Sequence, residues 1–257
     1  MIIEFYKYQG TGNDFVIIDD RDNTFPIEDN EIIAAICERR MGIGADGLIL
    51  LRNHNKYDFE MIYFNSDGNQ SSMCGNGGRC IVAFAAILGI IEYETVFMAI
   101  DGVHKAKLTK EGVFLQMQDV KSIERRLSGL FLNTGSPHYV QMVDTFTSCN
   151  VDREGREIRN SADFNKDGVN VNFVLDTDPL EVRTYERGVE SETLSCGTGV
   201  VAAVLAMHYS NIITDSIVDV KTRGGILNVD FEEFNGIYRN IWLSGDVSMV
   251  YAGEFEC

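Results

Sequence analysis

Short apolar runs, several of them alternating with polar residues, recur along the chain and are separated by Gly, Asn and Asp. Such runs are typical of β-strands, and the residues between them are typical of turns. The pattern predicts nine strands, at Phe15–Asp19, Leu48–Leu51, Phe59–Phe64, Val113–Met117, Tyr139–Val143, Val171–Leu175, Leu180–Tyr185, Ile226–Phe231 and Ile241–Ser244.

Three segments have helical patterns instead. One helix is predicted from Asp29 to Arg40. Two others, Arg79–Leu88 and Val200–Tyr209, carry Ala, Val, Leu and Ile on nearly every face. A helix without a polar face belongs inside a protein, so we expect a sheet to surround each of these two. The predicted fold class is therefore α+β.

An internal repeat links the two apolar helices. Cys74 is followed by Gly-Asn-Gly and Cys196 by Gly-Thr-Gly, and each motif opens one of the helices. Similar strand segments precede the motifs at residues 61–65 and 182–186, and the two cysteines lie 122 positions apart. The repeat predicts two pseudo-symmetric lobes, each a β-sheet or barrel wrapped around a central apolar helix.

The length of the chain suits this division. Its 257 residues, of which 45% are hydrophobic, suffice for two modest domains with their own cores. We place the N-terminal lobe, with Cys74, at residues 1–120 and expect residues 246–257 to complete it. The C-terminal lobe, with Cys196, is placed at residues 121–245.

The net negative charge of the chain argues against partners that are themselves anionic. The chain has 22 basic and 39 acidic side chains, a net charge of -17, whereas nucleic acids are bound by clustered Lys and Arg. Neither nucleic acid nor an anionic membrane surface is an expected partner. The longest apolar run, Ile81–Ile91, is too short to span a bilayer, and the first residues do not resemble a signal peptide. We therefore expect a cytoplasmic protein that binds a small molecule.

The cysteines suggest proton chemistry rather than metal binding. Because no export signal is recognised, the six cysteines are expected to be mostly free thiols, and the lack of a CxxC pair argues against a structural metal site. The start of a helix offers unpartnered N–H groups and partial positive charge, which bind a carboxylate and favour the thiolate form of a nearby cysteine.

A matched pair of such cysteines has a specific use. If Cys74 and Cys196 face one cleft, they supply a base and an acid on opposite sides of an amino-acid α-carbon, without a cofactor. The alternative is that both are small, inert residues of the core.

Several sequence blocks, in this order and spacing, resemble the diaminopimelate epimerase family over nearly the whole chain. The blocks are GTGNDF at residues 10–15, GIGADG at 42–47, FNSDG at 64–68, MCGNGGR at 73–79, Pro137-His138, Val169-Asn170, YERG at 185–188 and ETLSCGTG at 192–199.

The resemblance implies a cofactor-independent enzyme that interconverts LL- and meso-2,6-diaminopimelate, for lysine and peptidoglycan precursors, with the substrate bound between two similar lobes. Homodimers are common in the family. The catalytic positions implied are Cys74 and Cys196, with His138 and Glu186 tuning the thiols. The substrate-binding positions implied are the backbone of Gly75, Asn76, Gly197 and Thr198, and the side chains of Asn13, Asn65, Asn170, Glu186 and Arg187. A planar guanidinium such as that of Arg187 suits a distal carboxylate.

The chain departs from the family pattern at a few positions. Gly47 stands where some members have a glutamine that binds substrate, Ser136 stands where an asparagine is common, and the spacer from Glu186 to Cys196 is one residue longer. Two alternatives stay open. One is another cofactor-independent racemase, for proline, hydroxyproline or histidine, which would leave Arg187 without a carboxylate. The other is a non-catalytic amino-acid binding protein, which would tolerate loss of both thiols.

Overall fold

The computed structural model describes residues 1–71 and 73–256. In chain order, the first part forms β1 (Ile2–Gly10), β2 (Asn13–Asp19), α1 (Asn30–Cys37), β3 (Gly47–Arg52), β4 (Glu60–Asn65), α2 (Gly75–Ile87), β5 (Glu94–Ala99), β6 (Gly102–Thr109) and β7 (Gly112–Gln116). The second part forms β8 (Ile123–Arg126), β9 (Gly129–Asn133), β10 (Pro137–Met142), α3 (Val151–Arg159), β11 (Asn170–Leu175), β12 (Leu180–Glu186), β13 (Ser191–Thr193), α4 (Gly197–Tyr209), β14 (Ile217–Thr222), β15 (Gly225–Phe234), β16 (Ile237–Gly245) and β17 (Val247–Glu256).

These elements form two compact units. The first unit contains residues 1–115 and the segment that begins at Gly245, and the second contains residues 116–244. The C-terminal strand β17 belongs to the first unit because it pairs antiparallel with β1 along the whole of that strand.

The same topology occurs in both units. In the first, the strands pair in the order β17–β1–β2–β3–β4–β5–β6–β7, with β2–β3 and β4–β5 parallel and the other pairs antiparallel. In the second, the order is β8–β9–β10–β11–β12–β14–β15, with β10–β11 and β12–β14 parallel. The short strand β13 is added beside β12. The predicted internal repeat is thus confirmed at the level of topology.

Each parallel connection contains a helix, as parallel pairing requires a crossover. Helices α1 and α2 cross over in the first unit, and α3 and α4 in the second. Helix α2 packs against β1, β2, β3, β4, β6 and β17, and α4 packs against β9, β10, β11, β12, β14 and β15. Every side chain of α4 from Val200 to Met207 is buried. The prediction of an apolar helix surrounded by a sheet is confirmed in both units.

All nine predicted strands are present, and the helix boundaries differ from those predicted. Helix α1 ends at Cys37 rather than Arg40, because Glu38 has an extended backbone and the chain turns back. The N–H groups of Ile43 and Gly44 then bind the carbonyl of Ile36. Helices α2 and α4 begin directly after Cys74 and Cys196, several residues before the apolar runs.

Candidate active site

Cys74 lies at the start of α2 in the first unit. It occupies the N-cap position with extended backbone angles, φ -101° and ψ 125°, and the residues of the first helical turn are buried. The helix begins immediately after the cysteine, where Gly75 adds no side chain between the backbone and a ligand. The thiol is partly exposed, next to backbone N–H groups that have no partner within the helix.

Asn13 presents its amide oxygen to Cys74. The Oδ1 atom of Asn13 is 3.5 Å from Cys74 Sγ and accepts a hydrogen bond from Asn76 Nδ2 at 3.3 Å. The Nδ2 atom of Asn13 donates to Asp46 Oδ2 at 2.7 Å, which fixes the orientation of the amide. An amide oxygen only accepts hydrogen bonds, so this contact favours the protonated thiol at Cys74.

The Arg79 side chain lies beneath this helix start and is fully buried. Its Nη2 donates to Asn76 Oδ1 at 3.1 Å and to Thr11 Oγ1 at 3.2 Å, and its Nη1 donates to the carbonyl of Gly75 at 3.4 Å. Burial lowers the pKa of the guanidinium, although nearby thiols and Asp246 oppose this effect. A cation is thus held by neutral acceptors behind the first turn of α2.

An ion network anchors Asn13 from the other side. Lys7 is buried and pairs with Asp14 at 2.7 Å, while Arg39 bridges Asp14 and Asp46, each at 2.7 Å. Burial disfavours ionisation of Asp14, but the hydrogen bonds and charges of Arg39 and Lys7 outweigh it and lower its pKa to about 2. Asp46 is therefore positioned by an arginine while it holds the Asn13 amide.

Cys196 begins α4 in the second unit with similar backbone angles, φ -120° and ψ 108°, but it is only 6% exposed. Its Sγ is 3.5 Å from the hydroxyl of Thr198. The same hydroxyl lies 2.9 Å from Nε2 of His138, and Nδ1 of His138 lies 3.1 Å from the Asn172 amide nitrogen. A hydroxyl and an imidazole thus lie behind the second cysteine.

His138 is fully buried, which determines its charge. Burial lowers its pKa to about 3, and the positive charge of Arg187 adds to the effect. The imidazole is therefore neutral at pH 7 and carries a hydrogen on only one of its two nitrogens.

Asn170 organises the loop that carries Arg187. Its Nδ2 donates to Ser136 Oγ at 2.9 Å and to the carbonyl of Pro137 at 3.2 Å, and its Oδ1 accepts the backbone N–H of Arg187 at 2.9 Å. The Arg187 side chain is exposed and donates to the carbonyl of Asp167 at 2.9 Å. Ser136, a departure from the family pattern, is thus one of the groups that hold Asn170.

The remaining predicted residues, Asn65 and Glu186, lie at strand ends. Asn65 is the last residue of β4 and Glu186 the last residue of β12, the strands that precede α2 and α4. Beside Asn65, the register of β3 places Gly47. A Cβ atom at Gly47 would lie 2.5 Å from both the carbonyl oxygen of Phe64 and the ring of Tyr63, so these two groups occupy the space that a longer side chain at position 47 would need.

Three other described cysteines have environments unsuited to proton transfer. Cys37, Cys80 and Cys149 are free thiols, and the first two are buried. Burial raises the pKa of Cys37 to about 12, that of Cys149 to about 11, and that of Cys80 further still. These thiols stay protonated. Cys257 lies outside the described residues.

Within residues 1–71 and 73–256, no group of three or more His, Cys, Asp or Glu side chains is arranged to hold a metal ion. In the same part of the chain, no helix has the length and apolar character needed to cross a membrane.

Comparison with known proteins decides the family. Residues 5–121 and 130–250 match the family model described as diaminopimelate epimerase. The diaminopimelate epimerase of Flavobacterium psychrophilum is 49% identical over 252 residues, covering 97% of this chain and 98% of that protein. This chain belongs to the diaminopimelate epimerase family.

Further matches agree with this family and its fold. The diaminopimelate epimerase of Aquifex aeolicus is 40% identical over 276 residues, covering 99% of this chain and 98% of that protein. A crystal structure of a phenazine biosynthesis protein of the PhzF family from Bacillus anthracis superimposes with a TM-score of 0.78, covering all of both chains at 13% identity. At that identity the likeness shows a shared fold.

The structure also identifies polar residues near the predicted site that the sequence patterns did not. They are Thr11, Asp46, Arg79 and Asn172, together with the side-chain hydroxyl of Thr198. Two of them carried a usable signal. Arg79 is a charged residue at the start of an otherwise apolar helix, and Asn172 is a polar residue inside an apolar strand, both at places where a polar group must have a partner.

Proposed function

We propose that this protein is a diaminopimelate epimerase, a cofactor-independent isomerase that interconverts LL- and meso-2,6-diaminopimelate in lysine and peptidoglycan precursor biosynthesis. One observation carries the proposal. In a chain of the diaminopimelate epimerase family, two units of the same topology each begin a buried central helix directly after a cysteine. The duplication suits a reaction that needs one acid and one base.

In the proposed reaction, one cysteine thiolate removes the α-hydrogen as a proton and the other cysteine donates a proton to the opposite face. The electron pair left on the α-carbon is delocalised into the adjacent carboxylate. Backbone N–H groups at the starts of α2 and α4, those of Gly75, Asn76, Gly197 and Thr198, bind this carboxylate and stabilise the charge that develops on it. One thiol is consumed and one is formed, so the reverse reaction uses the same groups with their roles exchanged.

Side chains at the strand ends would select diaminopimelate. Arg187 is exposed and has the planar geometry that binds a distal carboxylate through two hydrogen bonds. The side chains of Asn13, Asn65, Asn170 and Glu186 would hold the amino groups and the distal carboxylate. In the structure Asn170 already donates two hydrogen bonds within the protein, so its remaining capacity is as an acceptor for an ammonium group.

The proposal extends to location and assembly. We place the enzyme in the cytoplasm, as a homodimer whose two units act as the lobes of each protomer. Strand β17 carries Met249, Val250 and Tyr251 exposed on the first unit, an apolar surface that suits a second copy of the chain. A monomeric mass in analytical ultracentrifugation would refute this assembly.

Hydrogen exchange tests the reaction directly. The enzyme is incubated in deuterium oxide with LL- or meso-diaminopimelate, and α-hydrogen loss and stereochemistry are followed by NMR and chiral chromatography. Exchange and inversion are expected from both isomers, and the Cys149→Ala variant should behave like the parent protein because Cys149 lies outside the proposed site. Absence of exchange with either isomer would refute the proposal. Inversion of proline, hydroxyproline or histidine in the same assay would favour a related racemase instead.

A further inference from the structure

The side-chain amide of Asn172 has only one orientation that satisfies its neighbours. Asn172 is fully buried in β11, where its Nδ2 donates to the carbonyl of Tyr139 at 3.1 Å and its Oδ1 accepts from the Thr184 hydroxyl at 3.0 Å. A backbone carbonyl only accepts hydrogen bonds, so the nitrogen must face Tyr139. The second hydrogen of Nδ2 therefore points at Nδ1 of His138.

This contact selects the tautomer of His138. Because Nδ1 faces a donor at 3.1 Å, it must be the nitrogen without a hydrogen. The neutral ring then carries its hydrogen on Nε2, which donates to the Thr198 hydroxyl at 2.9 Å. The oxygen of Thr198 acts as acceptor in this bond, which leaves its own hydrogen available to its other neighbour, Cys196 Sγ, at 3.5 Å.

The backbone at the start of α4 lies close enough to Asn172 and His138 for these hydrogen bonds to form. A Cβ atom at Gly199 would lie 2.3 Å from Asn172 Oδ1, so the glycine lets the helix start approach the buried amide. On the other side, the Thr134 hydroxyl donates to the carbonyl of Thr198 at 2.9 Å and holds that residue in place.

In the first unit, a chain of hydrogen bonds has the opposite effect on the protonation of its cysteine. Arg79 donates to Asn76, Asn76 donates to Asn13, and Asn13 donates to Asp46. This order leaves an amide oxygen facing Cys74, and that oxygen can only accept the thiol hydrogen.

We propose that Asn172, His138 and Thr198 form a one-way hydrogen-bond chain that directs a hydroxyl hydrogen at Cys196 and holds it as the thiolate. Cys196 is then the base of the enzyme before substrate binds, and Cys74 is the acid. Asn172 and the Thr198 hydroxyl are positioning groups, since they act on the reaction through Cys196. The assignment deepens the proposed function and rests on it, because it concerns which thiol begins the reaction.

The hydroxyl is tested by a matched pair of variants, Thr198→Val and Thr198→Ser, in a Cys74→Ala background. Both keep the backbone N–H, and only Ser keeps a hydroxyl. Alkylation of Cys196 by iodoacetamide at pH 7 is followed by mass spectrometry of its peptide. We expect Thr198→Val to slow alkylation about tenfold, since a hydrogen bond to a charged group is worth ~1.5 kcal/mol or more. The alkylation rate of Thr198→Ser should stay within about twofold of that of the Cys74→Ala parent. Equal rates for the Val and Ser variants would overturn the proposal.

The tautomer of His138 is tested in the unaltered protein by ¹⁵N NMR of its four histidines. The signals of His138 are assigned by their loss in His138→Gln. The proposal requires a hydrogen on Nε2 alone, and a hydrogen on Nδ1 would overturn it. In Asn172→Leu, which removes the amide, both tautomers should appear, and an unchanged single tautomer would show that Asn172 does not select it.

Kinetics separate positioning from structural support. The same two variants, Thr198→Val and Thr198→Ser, are made in the otherwise unaltered enzyme. Thr198→Val should lower kcat about tenfold but keep KM within about twofold, because the backbone N–H that binds the carboxylate is kept. Thr198→Ser should restore kcat. A rise in KM alone would overturn the assignment. Alkylation and NMR need no turnover, so their failure would leave the proposed epimerase activity standing. Absence of exchange in deuterium oxide would refute that activity without changing either measurement.

Discussion

The starts of α2 and α4 occupy equivalent places in two units of the same topology, yet the groups behind them differ. Behind Cys74 lie a buried guanidinium and an amide oxygen, whereas behind Cys196 lie a hydroxyl and a neutral imidazole. Where α2 has the buried cation of Arg79, the matching position of α4 is Val201, a buried residue of the hydrophobic core of the second unit.

This difference shows how a duplicated backbone can support two unlike chemical roles. The helix start supplies the same N–H groups in both units, because they belong to the backbone. The direction of the neighbouring side-chain hydrogen bonds then determines whether the cysteine is held as a protonated thiol or as a thiolate. Variants that alter one helix start at a time test whether the two sets of side chains have these different roles.

The largest effect is expected from the cysteines themselves. Cys74→Ala and Cys196→Ala should each lower the rate of inversion by about 10³-fold or more, because either change removes one of the two proton-transfer groups. Chiral chromatography of LL- and meso-diaminopimelate after incubation gives the rate, and circular dichroism verifies folding. Appreciable inversion by one of the variants would show that the two cysteines are not an acid–base pair.

The next largest effect is expected from the buried cation. Arg79→Met should lower the free energy of unfolding by about 2–4 kcal/mol, because it leaves the buried acceptors of Thr11 and Asn76 without their donor. Urea unfolding followed by circular dichroism measures the change. The matched change in the second unit, Val201→Ala, removes only methyl groups and should cost about 1–2 kcal/mol. A more stable Arg79→Met protein would contradict the role given to the guanidinium.

The third effect concerns pH and the second unit alone. The pKa of His138 is about 3 in the folded protein, below the value of about 6.5 for an unfolded chain. Between these values the unfolded state binds the additional proton, so stability falls as pH falls. From pH 7 to pH 5 the loss amounts to about 2 kcal/mol, and His138→Gln should lack it. Fluorescence of Trp242, the single tryptophan, follows unfolding of this unit. Identical pH dependence in the two proteins would contradict a buried, neutral imidazole.

The smallest effect is expected at Asp46, which orients the amide beside Cys74. Asp46→Asn should lower kcat/KM about fivefold, because the loss of one charge-assisted hydrogen bond to Asn13 costs ~1 kcal/mol. Steady-state kinetics in both directions measure this change. Glu38→Gln serves as a control on the same loop, since the Glu38 side chain accepts hydrogen bonds from the backbone N–H groups of Arg40 and Met41 and its change should leave the kinetics unchanged. Equal losses in the two variants would indicate a general effect of charge.

Much of the fold was predictable because hydrophobic patterns survive wherever one face is buried. The central helices and all nine predicted strands have this property. Strand β17 was missed because most of its side chains are exposed, which leaves no alternation to detect. Helix α3 was missed because seven of its nine positions are not fully buried and many are charged. Its main sequence signal is the N-cap residue Asn150, whose side chain accepts a hydrogen bond from the backbone N–H of Arg153.

The candidate site was predictable to a different degree. Cys74 and Cys196 follow from local motifs, since the glycines that open each helix are adjacent in sequence. The partners of Asn172 lie on the neighbouring strands β10 and β12, and the partner of Arg79 at Thr11 is 68 positions away. Such contacts depend on strand register, which no local pattern in a single sequence specifies.

The pairing of β1 with β17 has a consequence for the order in which the protein is made. All strands of the second unit from β8 to β15 are synthesised before residue 247, whereas β1 lacks its outer neighbour until Val247–Glu256 has left the ribosome. During translation the second unit can therefore fold first, while the first unit carries an open strand edge, a surface prone to pairing with other nascent chains.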